Sequence, residues 1–123
     1  MSGKPIDVYN FGDMERDFTY IGDIVSGILS IIEKGPVYNR EVSHSVYNLG
    51  NNKPEKLLDM ISILEEKLGI KAKKNFLPMQ PGDVYSTYAD INATQKDYGY
   101  EPRTSLEEGL EKFVLWYKSY YKQ

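Results

Sequence analysis

Glu15-Arg16-Asp17-Phe18-Thr19-Tyr20-Ile21-Gly22-Asp23-Ile24-Val25 changes its period halfway along. In its first half, Arg16, Phe18 and Tyr20 alternate with Asp17, Thr19 and Ile21, as on the two faces of an extended segment. Beyond Gly22-Asp23 the apolar residues Ile24, Val25, Ile28, Leu29, Ile31 and Ile32 recur at helical spacing. The pattern predicts a short strand carrying an arginine that runs directly into a buried helix. Asp23 is placed to cap its first turn, and Gly35-Pro36 to stop it.

Upstream, Ile6-Asp7-Val8-Tyr9-Asn10 alternates as a strand does, and Phe11-Gly12-Asp13 is a turn, so this strand and the arginine strand are expected to form a hairpin. Downstream, Val37 to Ser45 is a polar loop. Val46-Tyr47-Asn48-Leu49, apolar on both faces, reads as a covered strand ending at Gly50. Pro54 suits the first turn of a second helix with the stripe Leu57, Leu58, Ile61, Leu64 and Leu68, closed by Gly69. Lys71 to Met79 is expected to be an exposed strand, Gln80-Pro81-Gly82-Asp83 a turn, and Asn92 to Gly99 a short helix with its stop. Thr104-Ser105-Leu106-Glu107 reads as a capping box with the threonine as cap. Leu106, Leu110, Phe113, Tyr117 and Tyr120 then mark a final helix. The fold class is α/β, a mixed α+β module of four helices with short strands, and residues 1–123 form one unit without repeats or linkers.

Composition narrows the function. With 41% apolar and 27% charged residues, the 123-residue chain has the balance of a water-soluble protein with one core. A net charge of -3 gives no reason to expect nucleic acid or an anionic membrane as partner. The absence of cysteine excludes disulfides and thiolate metal sites and fits a reducing, cytoplasmic setting. No stretch approaches the roughly 18–20 apolar residues of a membrane span, and the N-terminus has no signal-peptide core. His44 is the only histidine, so histidine-dependent nucleophilic and metal sites have almost nothing to be made from, and in its polar loop it reads as a solvated residue. Glu65-Glu66 and Glu107-Glu108 are helix neighbours that point to different sides, and they read as solvated faces rather than paired catalytic carboxylates. None of the ten glycines gives a phosphate-cradling spacing.

What remains suits binding. Arg16 offers bidentate donors to phosphate, Phe18 and Tyr20 beside it and Tyr9 across the proposed hairpin offer flat faces to a base, and Asp83 in its turn can accept from sugar hydroxyls. The competing reading of the same residues is a strand arginine paired with a surface carboxylate and aromatics in the core.

Arg16-Asp17-Phe18-Thr19-Tyr20-Ile21-Gly22-Asp23-Ile24-Val25 resembles the R-D-F-T-Y-I-D-D-I-V stretch of NAD-dependent nucleotide-sugar epimerases and dehydratases of the extended short-chain dehydrogenase family. Tyr47-Asn48-Leu49-Gly50-Asn51, Leu77-Pro78-Met79-Gln80-Pro81-Gly82-Asp83-Val84, Thr87-Tyr88-Ala89-Asp90 and Gly99-Tyr100-Glu101-Pro102 are similar to motifs of its UDP-glucuronate 4-epimerase branch, in the same order. Phe113-Val114 with Trp116-Tyr117 is similar to its C-terminal end. The resemblance implies a UDP-sugar as ligand, with Arg16 on the diphosphate, Tyr9 near the uracil with Phe18 close by, and Asp83 on the ribose. Gln80 falls where distant relatives place a second phosphate-binding arginine, and Lys53 and Thr87 at the rim. Gly22 departs from the usual aspartate, at a cost in helix capping.

In that family NAD is held by an N-terminal glycine-rich turn, and the catalytic base is the tyrosine of a Tyr-x-x-x-Lys motif. None of the eleven tyrosines here has a lysine four residues on. The resemblance therefore implies the C-terminal, nucleotide-sugar-binding portion of an extended Rossmann-type epimerase. The NAD-binding Rossmann domain is absent from this chain, NAD is bound by that missing part, and no cofactor or catalytic residue lies here. The whole enzyme would oxidise C4 of the sugar with NAD and return the hydride to the other face. The covered strand Val46–Leu49 and the helix backs, left open, imply self-association of the 123 residues alone. A free-standing, non-enzymatic nucleotide-sugar-binding or protein-interaction module, or part of a sister dehydratase, is the alternative.

Overall fold

A computed structural model describes residues 3–37 and 44–122. Most of the expected loop Val37–Ser45 lies outside the described residues; His44, inside them, is exposed.

Two small sheets carry the fold. Strand β1 (Ile6–Val8) pairs in parallel with β4 (Lys74–Phe76), with Val8 opposite Phe76. Strand β2 (Glu15–Arg16) pairs antiparallel with β3 (Glu55–Lys56), with Arg16 opposite Glu55. The expected β1–β2 hairpin does not form. Between them Tyr9–Gly12 winds into a 3-10 turn with Asn10 and Phe11 at positive φ, and this turns β2 away from β1. Gly12, also at positive φ, lies against Leu58, whose Cδ2 would be 2.6 Å from a Cβ there.

Helix α1 (Ile21–Lys34) starts earlier than expected, with Tyr20 as its N-cap residue and no side-chain cap. Asp23 lies inside the first turn, and its carboxylate accepts instead from the backbone N–H groups of Arg103 and Thr104. The extended alternation also stops at Arg16, so the expected strand to Ile21 is only two residues long. Gly35, at φ 68°, ends α1 as expected.

Helix α2 (Leu57–Leu68) begins after Pro54, not at it, because residues 55–56 are taken up by β3. Gly69 closes it in the left-handed conformation. Helix α3 (Asn92–Tyr98) ends at left-handed Gly99. Helix α4 (Leu106–Tyr120) is capped by Ser105, whose Oγ accepts from the N–H of Glu108 at 3.2 Å, one residue later than the expected threonine cap. Val46–Leu49 is not a strand: it is irregular, and Val46 is 84% exposed.

Val8, Met14, Ile61, Ile91, Tyr98, Tyr100 and Val114 make the core, with Thr94 fully enclosed and its hydroxyl donating to the Asn48 carbonyl. Helix α2 lies against α4, and Lys67 of α2 pairs with Glu107 and Glu111 of α4. Helix α1 is less buried than its period suggested. Gly27 is its one fully buried residue, seated against Leu49 and Tyr100, while Ile21, Val25, Ile28, Leu29 and Ile32 face outward. Its apolar residues run round more of the helix than the contacts of this chain can cover.

Candidate functional site

The loop Val84–Thr87 lies beside β2: Glu15 donates its N–H to the Tyr85 carbonyl, and Thr87 donates to the Glu15 carbonyl. That pairing brings the Gln80–Asp83 turn, closed by the Asp83 N–H on the Gln80 carbonyl, next to Arg16. Arg16 and Asp83 are both partly exposed, with Nη2 3.8 Å from Oδ1. Arg16 Nη1 donates to the carbonyls of Glu15 at 2.7 Å and of Tyr85, 69 residues further on, at 3.2 Å.

These bonds aim the guanidinium while leaving three of its five N–H donors without a hydrogen-bond acceptor among the described residues. Of its five N–H donors, Nη1 uses its pair on carbonyls. The contact with Asp83 is too long for a hydrogen bond, so Nη2 and Nε can serve an incoming phosphate. Tyr85 is fixed by its hydroxyl on Asp13 Oδ1 at 3.1 Å, and that carboxylate raises the phenol's pKa.

The other expected site residues divide. Tyr9 is half-buried on the 3-10 turn, and its hydroxyl has no partner among the described residues. Gln80 is exposed at the head of the Asp83 turn. Lys53 is exposed and paired with Glu55 Oε1 at 2.7 Å, next to β2 rather than on Arg16. Thr87 is structural in its contacts: its Oγ1 accepts the N–H of Asp17 at 3.1 Å. Phe18 is placed otherwise than the alternation implied. It lines an apolar groove with Tyr20, Leu106, Leu110, Phe113 and Trp116, of about 580 Å³, because the backbone leaves the strand after Arg16.

One residue escaped the sequence reading. The Asp17 carboxylate accepts from the backbone N–H groups of Asn51, Asn52 and Ala89, at 3.0–3.1 Å. Its partners are main-chain groups, which leave no residue signature. Beside it, Gly50 leaves no room for a side chain, since a Cβ would lie 2.4 Å from that of Ala89. Tyr47 lines the same shallow recess, and its hydrogen bond to Asp97 at 2.7 Å raises its phenol to about 12. Among the described residues no cluster of histidine and carboxylates could hold a metal ion, and no helix is long and apolar enough to cross a membrane.

Residues 2–113 match the family described as GDP-mannose 4,6 dehydratase. The chain is 51% identical over 115 residues to an uncharacterised protein of Methanocaldococcus jannaschii, covering 94% of this chain and 33% of that one. It is 42% identical to UDP-glucuronate 4-epimerase 2 of Arabidopsis thaliana over 100% of this chain and 31% of that protein. Among solved structures, UDP-glucuronic acid 4-epimerase from Bacillus cereus in complex with UDP-glucuronic acid and NAD superposes with a TM-score of 0.82 at 35% identity, over 97% of this chain and 37% of that one. The chain thus spans about a third of the length of these relatives.

Proposed function

Since the chain belongs to the NAD-dependent nucleotide-sugar epimerase and dehydratase family, we propose that it forms the UDP-sugar-binding part of a 4-epimerase acting on UDP-glucuronate. The observation that carries this reading is the half-open guanidinium of Arg16 beside the Asp83 carboxylate. Arg16 grips the diphosphate, Asp83 accepts from the ribose hydroxyls, and Tyr9 and Gln80 stand on the segments that flank them. Binding the nucleotide here holds the sugar, at its far end, in place for chemistry done elsewhere.

The 123 residues carry neither a Gly-x-Gly-x-x-Gly nor a Tyr-x-x-x-Lys, so they do not fit NAD and no step of hydride transfer is assigned to them. Titration calorimetry with the 123-residue chain tests the reading. UDP and UDP-glucuronate are expected to bind within a few fold of each other, and free glucuronate not at all. Absence of heat with UDP would overturn it, and would favour the non-enzymatic interaction module.

The surface supports self-association of this chain. The outward residues of α1 supply a continuous apolar face for it. Sedimentation at micromolar concentration is expected to show a boundary faster than the monomer's, returned to the monomer by Ile28→Lys. A clean monomer for the unaltered chain would contradict it.

A further inference from the structure

Arg16 is aimed by its carbonyl contacts, but those carbonyls must themselves be held. Three segments meet at the end of β2: β2 itself with residue 17, the bend at residues 50–52, and residues 85–89. They share one side chain. Asp17 Oδ1 accepts from the Asn51 N–H at 3.0 Å, and Oδ2 accepts from Asn52 at 3.1 Å and Ala89 at 3.0 Å. Its own N–H donates to Thr87 Oγ1, and Thr87 in turn donates its N–H to the Glu15 carbonyl that Arg16 Nη1 holds.

We infer that Asp17 is the positioning residue of the diphosphate grip. Its carboxylate pins residues 51–52 and 89 to the β2 end, which sets the register of the Tyr85 carbonyl against Arg16. Gly50 is part of the device. A Cβ there would stand 3.0 Å from Asp17 Oδ2 and 2.4 Å from Ala89, so only glycine lets the three segments close on one carboxylate. Both carboxylate oxygens are needed. An asparagine would keep one acceptor and turn an N–H₂ group toward main-chain donors, so it is no conservative substitute. The inference rests on the proposed function, because it concerns the same site.

The test compares UDP with uridine, which lacks the phosphates, on the 123-residue chain by calorimetry. Asp17→Asn is expected to weaken UDP tenfold or more while changing uridine little, and the loss should vanish in an Arg16→Ala background. Should Asp17→Asn fail to fold, Thr87→Val, which removes one hydroxyl acceptor, is expected to weaken UDP several-fold in the same selective way. Equal weakening of UDP and uridine, or a loss that adds in full to that of Arg16→Ala, would overturn the positioning role. Failure of the unaltered chain to bind UDP is a different result, and it removes the binding function itself.

Discussion

Arg16→Ala is expected to weaken the binding of UDP by roughly 12- to 140-fold, from the ~1.5–3 kcal/mol of a charge-assisted hydrogen bond and tenfold per ~1.4 kcal/mol. The geometry explains why the loss should be this large rather than that of an exposed ion pair, ~0.2–1 kcal/mol. Nη1 is spent on the Glu15 and Tyr85 carbonyls, so the side chain is already ordered when the phosphates arrive. The Asp83 carboxylate at 3.8 Å is its only charged partner among the described residues and a weak competitor, since a diphosphate brings more charge at shorter range. Arg16→Lys is expected to recover part of the affinity. It keeps the charge but loses the planar fork that meets the carbonyls and the phosphates at once. Asp83→Ala acts in two directions, removing both a ribose acceptor and the competitor, so its effect should be smaller. Calorimetry of UDP and of uridine against the three variants checks the set. Unchanged UDP affinity in Arg16→Ala would place the phosphate grip elsewhere.

How much of this was legible depends on whether the deciding partner was local. The stops at Gly35, Gly69 and Gly99 were readable because a left-handed or positive-φ residue is a property of the position itself. The family signature marked Arg16 and Asp83, and the structure brings them together. The pairing of β2 with β3 was not readable, because two-residue strands carry no periodic pattern, and the alternation of Ile6–Asn10 pointed to a hairpin with β1 instead. Asp23 shows the same limit. A carboxylate at a helix start is ordinarily a cap, but here the Arg103–Thr104 backbone, far away in sequence, claims it. The last helix missed its cap by one residue because Thr104 and Ser105 both offer a hydroxyl, and backbone conformation alone selects Ser105. Alternation set Phe18 on the face of Arg16, and alternation ends where the strand does.

Glu65→Gln is expected to destabilise the chain at neutral pH and to flatten its acid unfolding limb. Glu65, expected on a solvated face, is instead buried on α2, because its carboxylate accepts from Lys71 and Lys74 and from the Ala72 N–H. Those bonds, that of Lys74 foremost, lower its pKa from 4.5 to about 2 against the opposing effect of burial. Between those two values the unfolded chain binds a proton at Glu65 that the folded chain does not. The stabilisation is therefore fully present above about pH 4.5 and disappears as the pH falls through about 2. Glu107 is lowered in the same direction by Lys67, but it is exposed and Glu65 is not, so screening leaves it the lesser part. Urea midpoints measured from pH 7 to pH 2 on the unaltered chain and on Glu65→Gln should converge as the pH drops. Lys74→Ala should cost more than Lys71→Ala, because the side chain of Lys74 is 23% exposed and that of Lys71 86%. A gap between the Glu65→Gln and unaltered midpoints that stays constant with pH would show that the glutamine perturbs packing, and that the carboxylate's charge contributes nothing.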